Sequence, residues 1–283
     1  MTAVATEYTD VAELKRRSQW LRQTLLEMVV RQQVGHLLSC FSMAEILISL
    51  YFGGVARIIP GAPEDPTRDR ILVSKGHAAM GQYPILAELG FFPKSELERF
   101  SQPGGLLGMY ADFRIPGIEG ISGSLGHGVG IGAGIALAAR LDGQSHRCFV
   151  ILGDGENYEG SIWESAMFAS HHRLDNLVVI VDRNQLCILG RTEELLQLGN
   201  LEEKWRSFGW ASLTVDGHSY RSLLPAFAHV GRTGGRPLAI IANTVKGKGV
   251  SFMEGQAGWH NRMPNEAETA RARRELADSC IAD

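Results

Sequence analysis

Two short apolar runs, separated by one helix-length connection, most constrain the fold of this chain. CFVIL ends at Leu152 and LVVIV ends at Val181, and both are rich in β-branched residues with no polar alternation. Such runs are typical of parallel strands that helices cover on both faces. The runs at residues 211–215 and 238–244 continue the pattern, with a helical segment between them. This alternation predicts a doubly wound α/β fold with a mainly parallel sheet and helices on both faces.

The remaining sequence is consistent with one domain of this class over residues 1–283. Further helices are predicted at 10–31, 42–53, 78–89, 125–141 and 161–170, and a further short strand at 71–74. Ser42, with Glu45 three residues later, predicts a capping box at the start of the second helix. The charged segment 265–283 predicts a helical terminal arm.

Composition and charge exclude several classes of partner. The net charge is −3, which gives no electrostatic footprint for nucleic acid or an anionic membrane. No apolar stretch reaches the roughly 18 residues of a membrane span, and the first ten residues lack the apolar core of a secretory signal. The cysteines form no C-x-x-C pair, which favours a reducing, cytoplasmic compartment; they are Cys40, Cys148, Cys187 and Cys280.

Oxygen-bearing side chains follow two of the predicted strands at the point where each strand ends. Asp154 lies between Gly153 and Gly155 after the first run, and Asn184 follows the next run 30 residues later, one βαβ crossover away. In open α/β sheets, ligands bind beyond the carboxyl ends of the strands. A carboxylate, an amide oxygen and a backbone carbonyl form an incomplete set of hard ligands, which Mg²⁺ completes with phosphate oxygens and water. Taken alone, an aspartate between glycines after a strand is usually just part of a turn.

Five segments, in order along nearly the whole chain, resemble the N-terminal, diphosphate-binding half of the transketolase family. They are VGHLLSCFSMAEIL, SKGHAAMGQYPILAELG, PGIEGISGSLGHGVG, GDGENYEGSIWESAMFASHHRLDNLVVIVDRN and NTVKGKGVSFMEGQAGWH. The resemblance implies thiamine diphosphate and Mg²⁺, or another divalent cation such as Ca²⁺ or Mn²⁺, as cofactors. It implies transfer of a two-carbon ketol unit from a ketose donor to an aldehyde acceptor.

The resemblance also implies roles for individual residues. The divalent ion would be held by Asp154, Asn184 and the carbonyl of Leu186. Contacts to the cofactor would come from His77, Gly123, Ser124, Leu125, Asp154, Gly155, Asn184 and His260. The catalytic residues would be His36, His77, His260 and Glu159, with His36 and His260 facing the substrate oxygens and Glu159 in a hydrogen-bond network between paired active sites.

Histidine suits proton transfer to and from hydroxyl and carbonyl oxygens near neutral pH. A histidine after glycine is also common as a surface or capping residue. The other histidines are expected to be structural or solvated, and they are His127, His146, His171, His172, His218 and His229.

The sequence departs from the family pattern in two respects. Met109 and Tyr110 stand where transketolases carry His and Pro, so the resemblance does not predict the usual sugar-phosphate donor. No second α/β unit follows residue 245. The resemblance therefore implies a separate partner chain that carries the pyrimidine-binding and C-terminal domains, in an α₂β₂ assembly.

Two other functions remain open at this point. Because Met109 replaces the family histidine, a different thiamine-diphosphate reaction remains possible, namely decarboxylation of a 2-oxo acid with acyloin formation. A non-catalytic cofactor-binding module is the second alternative. A nucleotide site is less favoured, because neither G-x-G-x-x-G nor G-x-x-x-x-G-K-[ST] occurs.

Overall fold

The computed structural model describes residues 10–278, and five of its strands form one parallel sheet. The strands are β1 (Arg70–Val73), β2 (Cys148–Gly153), β3 (Leu177–Arg183), β4 (Leu186–Cys187), β5 (Gly190–Arg191), β6 (Ala211–Asp216) and β7 (Leu238–Asn243). The sheet has the order β1-β2-β3-β7-β6, and β4 and β5 form a separate antiparallel hairpin. Cys280 and the first nine residues lie outside the described residues.

Ten α-helices accompany these strands in the described part of the chain. They are α1 (Val11–Gln32), α2 (Leu37–Ser42), α3 (Ala44–Phe52), α4 (Tyr83–Glu88), α5 (Gly128–Leu141), α6 (Gly160–His171), α7 (Thr192–Leu195), α8 (Leu201–Ser207), α9 (Tyr220–Phe227) and α10 (Glu266–Asp278). Short 3₁₀ segments occur at Gly76–Gln82, Lys94–Arg99, Gly155–Tyr158 and Ala257–Trp259.

The strand residues alternate between two separate hydrophobic cores, one on each face of the sheet. In β2, Phe149 and Ile151 pack with α1 to α4 and α9, whereas Val150 and Leu152 pack with α5, α6 and α8. Every residue from Cys148 to Leu152 is fully buried, which explains the unbroken apolar run. The doubly wound α/β prediction is confirmed.

The predicted capping box at the start of the second helix was wrong. Ser42 does not cap a helix, because it is the last residue of α2, and α3 begins at Ala44 with no side-chain cap. The Ser42 hydroxyl instead donates to Asp182 Oδ2 at 2.5 Å, and Glu45 pairs with Arg22. Both side chains therefore serve tertiary contacts that a local capping pattern does not reveal.

Two predicted helices begin later than expected. Residues 78–82 belong to the 3₁₀ segment Gly76–Gln82, so the α-helical part there starts at Tyr83. Helix α5 starts at Gly128 rather than at residue 125, because Gly126 adopts φ +86°, which is incompatible with a right-handed helix. The chain before Gly128 is consequently a loop.

The C-terminal segment packs onto α1. It is helical over Glu266–Asp278, and Leu276 is fully buried. Gln19 Nε2 donates to the Leu276 carbonyl at 2.7 Å, and Arg273 forms a 2.7 Å ion pair with Glu27. Residues 279–283 of the predicted arm lie outside the described residues.

Within residues 10–278, no helix combines the length and apolarity needed to cross a membrane. Three cysteines of this part of the chain, Cys40, Cys148 and Cys187, are free thiols.

Two glycines of α5 differ in how closely they approach the sheet. A Cβ on Gly132 would lie 2.5 Å from Val150 Cγ2, whereas a Cβ on Gly134 would meet nothing within 4 Å. We expect Gly132→Ala to lower the free energy of unfolding by about 1–3 kcal/mol, because stiff, buried Val150 has little room to yield. The matched Gly134→Ala is expected to raise it by about 0.5–1 kcal/mol. Urea unfolding of both variants checks the pair, and a stabilising Gly132→Ala would contradict it.

Candidate functional site

The carboxyl ends of four strands meet at one cavity. After β1 come Lys75 and His77, after β2 comes Asp154, after β3 comes Asn184, and after β7 comes Lys246. The cavity is lined by Ser39, Lys75, His77, Leu125, Gly153, Asp154, Gly155, Glu156, Asn184, Leu186, Cys187, Ile188, Lys246 and His260. The sheet edge therefore brings together the aspartate, the asparagine and two of the histidines that the sequence singled out.

Asp154 is a buried carboxylate that accepts hydrogen bonds from two main-chain N–H groups. Its Oδ1 accepts from the Gly155 N–H at 2.8 Å and its Oδ2 from the Gln185 N–H at 2.5 Å. Burial, and then the negative charge of Asp182, raise the pKa of Asp154 to about 6. A cation bound at this carboxylate would relieve both effects.

Asn184 and Leu186 present oxygens to the same cavity. The Asn184 side chain donates from Nδ2 to Asp182 Oδ2 at 3.3 Å, and its Oδ1 accepts from the Leu186 N–H at 3.1 Å. The Leu186 carbonyl accepts from Lys246 Nζ at 3.0 Å. Each of these oxygens has a second lone pair for a further ligand.

The chemistry of this donor set is compatible with a hard divalent cation. Among residues 10–278, no group of three or more His, Cys, Asp or Glu side chains is arranged to hold a metal. A metal here would depend on one carboxylate, one amide oxygen and one carbonyl, with phosphate and water oxygens completing an octahedral shell. These residues fit Mg²⁺ held against a diphosphate.

Glu156 holds the glycine-rich loop beside the cavity. Its carboxylate accepts from the Ser74 hydroxyl, from the Gly126 N–H at 2.9 Å and from the Gly153 N–H at 3.1 Å. A Cβ on Gly76 would lie 1.7 Å from the Ser122 carbonyl oxygen, so this loop passes directly over the end of β1. Leu125 lines the cavity, whereas Gly123 and Ser124 are exposed.

The glycine after Asp154 lies in a close contact. A Cβ on Gly155 would be 3.2 Å from Cys187 Cβ, which is tighter than ordinary packing. The main chain after β2 thus passes next to the β4–β5 hairpin.

Three imidazoles form a nearly equilateral triangle at one side of the cavity. Ring centroids are 5.3 Å apart for His36 and His77, and 5.4 Å apart for each of their pairs with His260. Burial, followed by the charge of Lys75, lowers the pKa of His77 to about 2. Burial and Lys246 lower the pKa of His260 to about 4 and also lower that of His36. These shifts favour the neutral form of all three rings at pH 7, and a neutral imidazole donates a hydrogen bond from one nitrogen and accepts one at the other.

Lys246 fixes the proton position on one of these rings. Its Nζ lies 2.9 Å from His260 Nδ1, and burial followed by the charge of Lys75 lowers its pKa to about 8. Because the ammonium group donates to Nδ1, the proton of neutral His260 resides on Nε2. His260 can therefore donate a hydrogen bond from Nε2.

Sequence reasoning missed four polar residues of this site: Lys75, Glu156, Asp182 and Lys246. Asp182 is fully buried and accepts from Lys75, Ser42, Thr244 and Asn184. An aspartate at the end of an otherwise apolar strand, and lysines beside the glycines of SKGH and VKGKG, are signals that could have identified three of them.

Glu159 and Tyr110, which the sequence also highlighted, lie apart from this cavity. Glu159 is exposed at the start of α6, where a Cβ on Gly126 would contact it at 2.5 Å. Its role between paired active sites stays a prediction. Tyr110, next to Met109, is 44% exposed and lines a separate surface depression with Ser101 and Asp112.

Comparisons with known proteins agree with this geometry. Residues 15–279 match the family described as "Transketolase, thiamine diphosphate binding domain". The chain is 37% identical over 269 residues to an apulose-4-phosphate transketolase subunit of Phocaeicola vulgatus, covering 95% of each chain. It is 40% identical over 265 residues to a 6-deoxy-6-sulfo-D-fructose transketolase subunit of Clostridium sp., covering 93% of this chain and 96% of the relative.

Single-chain transketolases are matched over less than half of their length. Human transketolase is 36% identical over 250 residues, which is 88% of this chain and 40% of that protein. The crystal structure of Campylobacter jejuni transketolase superposes with a TM-score of 0.90 at 26% identity, covering 97% of this chain and 44% of that one.

The buried charge of Asp154 predicts a specific pH dependence of stability without metal. The pKa of Asp154 is higher in the folded chain than in the unfolded chain. Its ionisation therefore lowers the free energy of unfolding progressively as pH rises from about 4 through about 6. Asp154→Asn abolishes this titration. Between pH 4 and pH 7 the free energy of unfolding of the variant should therefore rise by about 2–3 kcal/mol relative to that of the native chain. Urea unfolding in EDTA at both pH values measures this change, and the pH-independent cost of a lost hydrogen bond cancels from it.

Glu159→Gln, which removes an exposed carboxylate, serves as the control for the loss of one charge. Parallel stability–pH curves for native chain and Asp154→Asn would contradict the prediction.

Proposed function

The chain belongs to the transketolase family, as its thiamine-diphosphate-binding domain, and from this premise we propose the role of its site. It is one subunit of a split transketolase that transfers a two-carbon ketol unit from a ketose to an aldehyde acceptor. The convergence of Asp154, Asn184 and three neutral imidazoles at one sheet edge supports this role most directly.

Cofactor binding follows from the donor set. We propose that Asp154, Asn184 and the Leu186 carbonyl hold Mg²⁺, with Ca²⁺ or Mn²⁺ as substitutes, against the diphosphate. The residues proposed to contact the cofactor are His77, Gly123, Ser124, Leu125, Asp154, Gly155, Asn184 and His260. When bound, thiamine diphosphate supplies an electron sink for cleavage of the carbon–carbon bond next to the donor carbonyl.

The histidines supply proton transfer at the substrate oxygens. His260 presents an Nε2–H, since Lys246 engages Nδ1, so it donates to an oxygen that gains negative charge. His36 has a buried Nδ1 with no hydrogen-bond partner in the described part of the chain. His77 is oriented by the Ser39 hydroxyl at 3.2 Å. We propose His36, His77 and His260 as the catalytic residues of this chain.

A partner chain completes the proposed enzyme. Two relatives that match over nearly their full length are named as transketolase subunits. Ile188 lines the cavity yet is 60% exposed, and the adjacent hairpin residue Leu189 is 80% exposed, so the mouth of the site is apolar. We propose that a chain with pyrimidine-binding and C-terminal domains covers this mouth in an α₂β₂ assembly, with Glu159 between the paired sites, in the cytoplasm.

The identity of the donor depends on the loop that contains Met109. Replacement of a histidine by methionine removes a hydrogen-bonding group, so 2-oxo acid decarboxylation with acyloin formation is the second candidate. Product analysis with ketose phosphate and 2-oxo acid donors separates the two reactions. The intact Asp154, Asn184 and histidine cluster argues against a non-catalytic module.

We predict that the chain purified from its own host with Mg²⁺ and thiamine diphosphate is a hetero-oligomer with one cofactor for each copy. Native mass spectrometry measures both the assembly and the cofactor content. Ketol transfer should require both subunits, and transfer by this chain alone would contradict the split-enzyme proposal.

Asp154→Ala is expected to abolish the thermal stabilisation of the complex by Mg²⁺ and thiamine diphosphate, because the only carboxylate of the proposed metal set is removed. Activity should fall with it at saturating substrate. Gly134→Ala is the matched control away from the cavity. A variant that retains full activity at low Mg²⁺ would exclude Asp154 as a metal ligand.

A further inference from the structure

A hydrogen-bond chain, buried at one end and partly buried at the other, connects two N-terminal helices to the loop that carries Lys246. It consists of Arg22, Glu45, His218 and the main-chain N–H of Val245. We propose that His218 is a positioning residue, which holds Lys246 and through it His260 in their working arrangement. This inference depends on the proposed function only in taking Lys246 and His260 as working groups.

The chain of contacts begins with a buried, bidentate ion pair. Arg22 on α1 donates to both carboxylate oxygens of Glu45 on α3, at 2.6 Å and 2.7 Å, and also to the Phe41 carbonyl at 2.9 Å. The side chains of Arg22 and Glu45 are 8% and 9% exposed. Burial alone would raise the pKa of Glu45, but Arg22 and His218 outweigh it and hold the pKa at about 2. Glu45 is therefore a permanent, fixed acceptor.

His218 uses both ring nitrogens. Nδ1 lies 2.8 Å from Glu45 Oε2, and Nε2 receives the Val245 N–H at 2.8 Å. A main-chain N–H can only donate, so Nε2 carries no proton and Nδ1 donates its proton to Glu45. These two contacts determine both the tautomer and the ring orientation. His218, expected to be structural or solvated, thus has a specific acceptor function.

The backbone geometry around His218 is adapted to this contact. The Gly217 N–H donates to the Asn243 carbonyl at 2.8 Å, so the loop after β6 lies against the end of β7. A Cβ on Gly217 would be 2.5 Å from Thr244 Cγ2 and 3.0 Å from the Asn243 oxygen. Only a residue without a side chain allows the two loops to approach closely enough for His218 to reach Val245.

The contact between His218 Nε2 and the Val245 N–H holds the residue directly before Lys246. The neighbouring residues are also bound, with the Thr244 N–H donating to the Arg183 carbonyl and the Gly247 N–H to the Leu38 carbonyl. The Lys246 side chain then spans from this fixed base to the Leu186 carbonyl at 3.0 Å and His260 Nδ1 at 2.9 Å. The Gly255 N–H also donates to the Lys246 carbonyl at 2.9 Å. Without the His218 contact, the main chain directly before Lys246 loses the acceptor of the Val245 N–H. Lys246 would then no longer determine which nitrogen of His260 carries the proton.

Two amide variants distinguish positioning from ordinary packing. The Gln side chain places its amide near the position of imidazole Nε2, so His218→Gln retains an acceptor for Val245. The Asn side chain ends near the position of Nδ1, so His218→Asn retains only the contact with Glu45. A purely structural role in satisfying Glu45 favours Asn, whereas the positioning role favours Gln.

We expect His218→Asn to accelerate hydrogen exchange of the Val245 amide at least about ten-fold and to shift the ¹⁵N resonance of His260 Nδ1 in the full-length chain. In the complex with its partner chain, kcat should fall by about 10–100-fold, with KM for the donor changed by less than about three-fold. His218→Gln should return each quantity to within about three-fold of the native value. A His260→Gln variant assigns the ring-nitrogen resonances.

Gly217→Ala provides a second route to the same contact, because it separates the two loops without altering His218. It should reproduce the His260 resonance shift if His218→Asn fails to fold. Native His260 resonances and native Val245 exchange in the folded variants would overturn the proposal, as would a loss of stability alone with unchanged kcat. A native complex without ketol transfer would refute the proposed function, while the His260 resonances would still decide the positioning role.

Discussion

The arrangement of the site depends on one buried ion pair, between Lys75 and Asp182. Their side chains are 2% and 0% exposed, and the pair joins the end of β1 to the end of β3. Ser42 and Thr244 donate to the same carboxylate, so α2 and the end of β7 are joined to it as well. A buried ion pair gains little net stability, but removal of one partner leaves an uncompensated charge that is costly. This pair therefore acts mainly by fixing the relative positions of four elements at the sheet edge.

Asp182 also determines the electrostatics of the neighbouring groups. It raises the pKa of Asp154 from nearby, and it orients Asn184 by accepting from the Nδ2 of that side chain. The same carboxylate thus disfavours ionisation of Asp154 in the free chain and directs an amide oxygen away from itself. Both effects prepare the cavity for a divalent cation, at the expense of stability when no cation is bound.

The sequence was sufficient to predict the sheet, because CFVIL and LVVIV are apolar at every position and therefore buried on both faces. It also predicted the convergence of Asp154 and Asn184, since the carboxyl ends of parallel strands lie at one edge. It was insufficient for residues whose partners are distant along the chain. Ser42 fits a local capping pattern but bonds to Asp182, 140 residues later. Glu156, three residues from Gly153, acts on Gly126 of a preceding loop. No local periodicity encodes these tertiary contacts.

The three imidazoles and two ammonium groups limit how protons can move in the site. Burial and the charge of Lys75 lower the pKa of His77 most, and positive charge on His36, His260 or Lys246 lowers it further. Groups coupled this closely titrate together, so the addition of one proton to the triangle disfavours a second. In the mechanism that we propose, proton transfers therefore occur one at a time, and each imidazole returns to neutrality before the next is charged. The contact between Lys246 and His260 determines that Nε2 presents the N–H of the neutral ring, as a hydrogen-bond donor to an oxygen that gains negative charge.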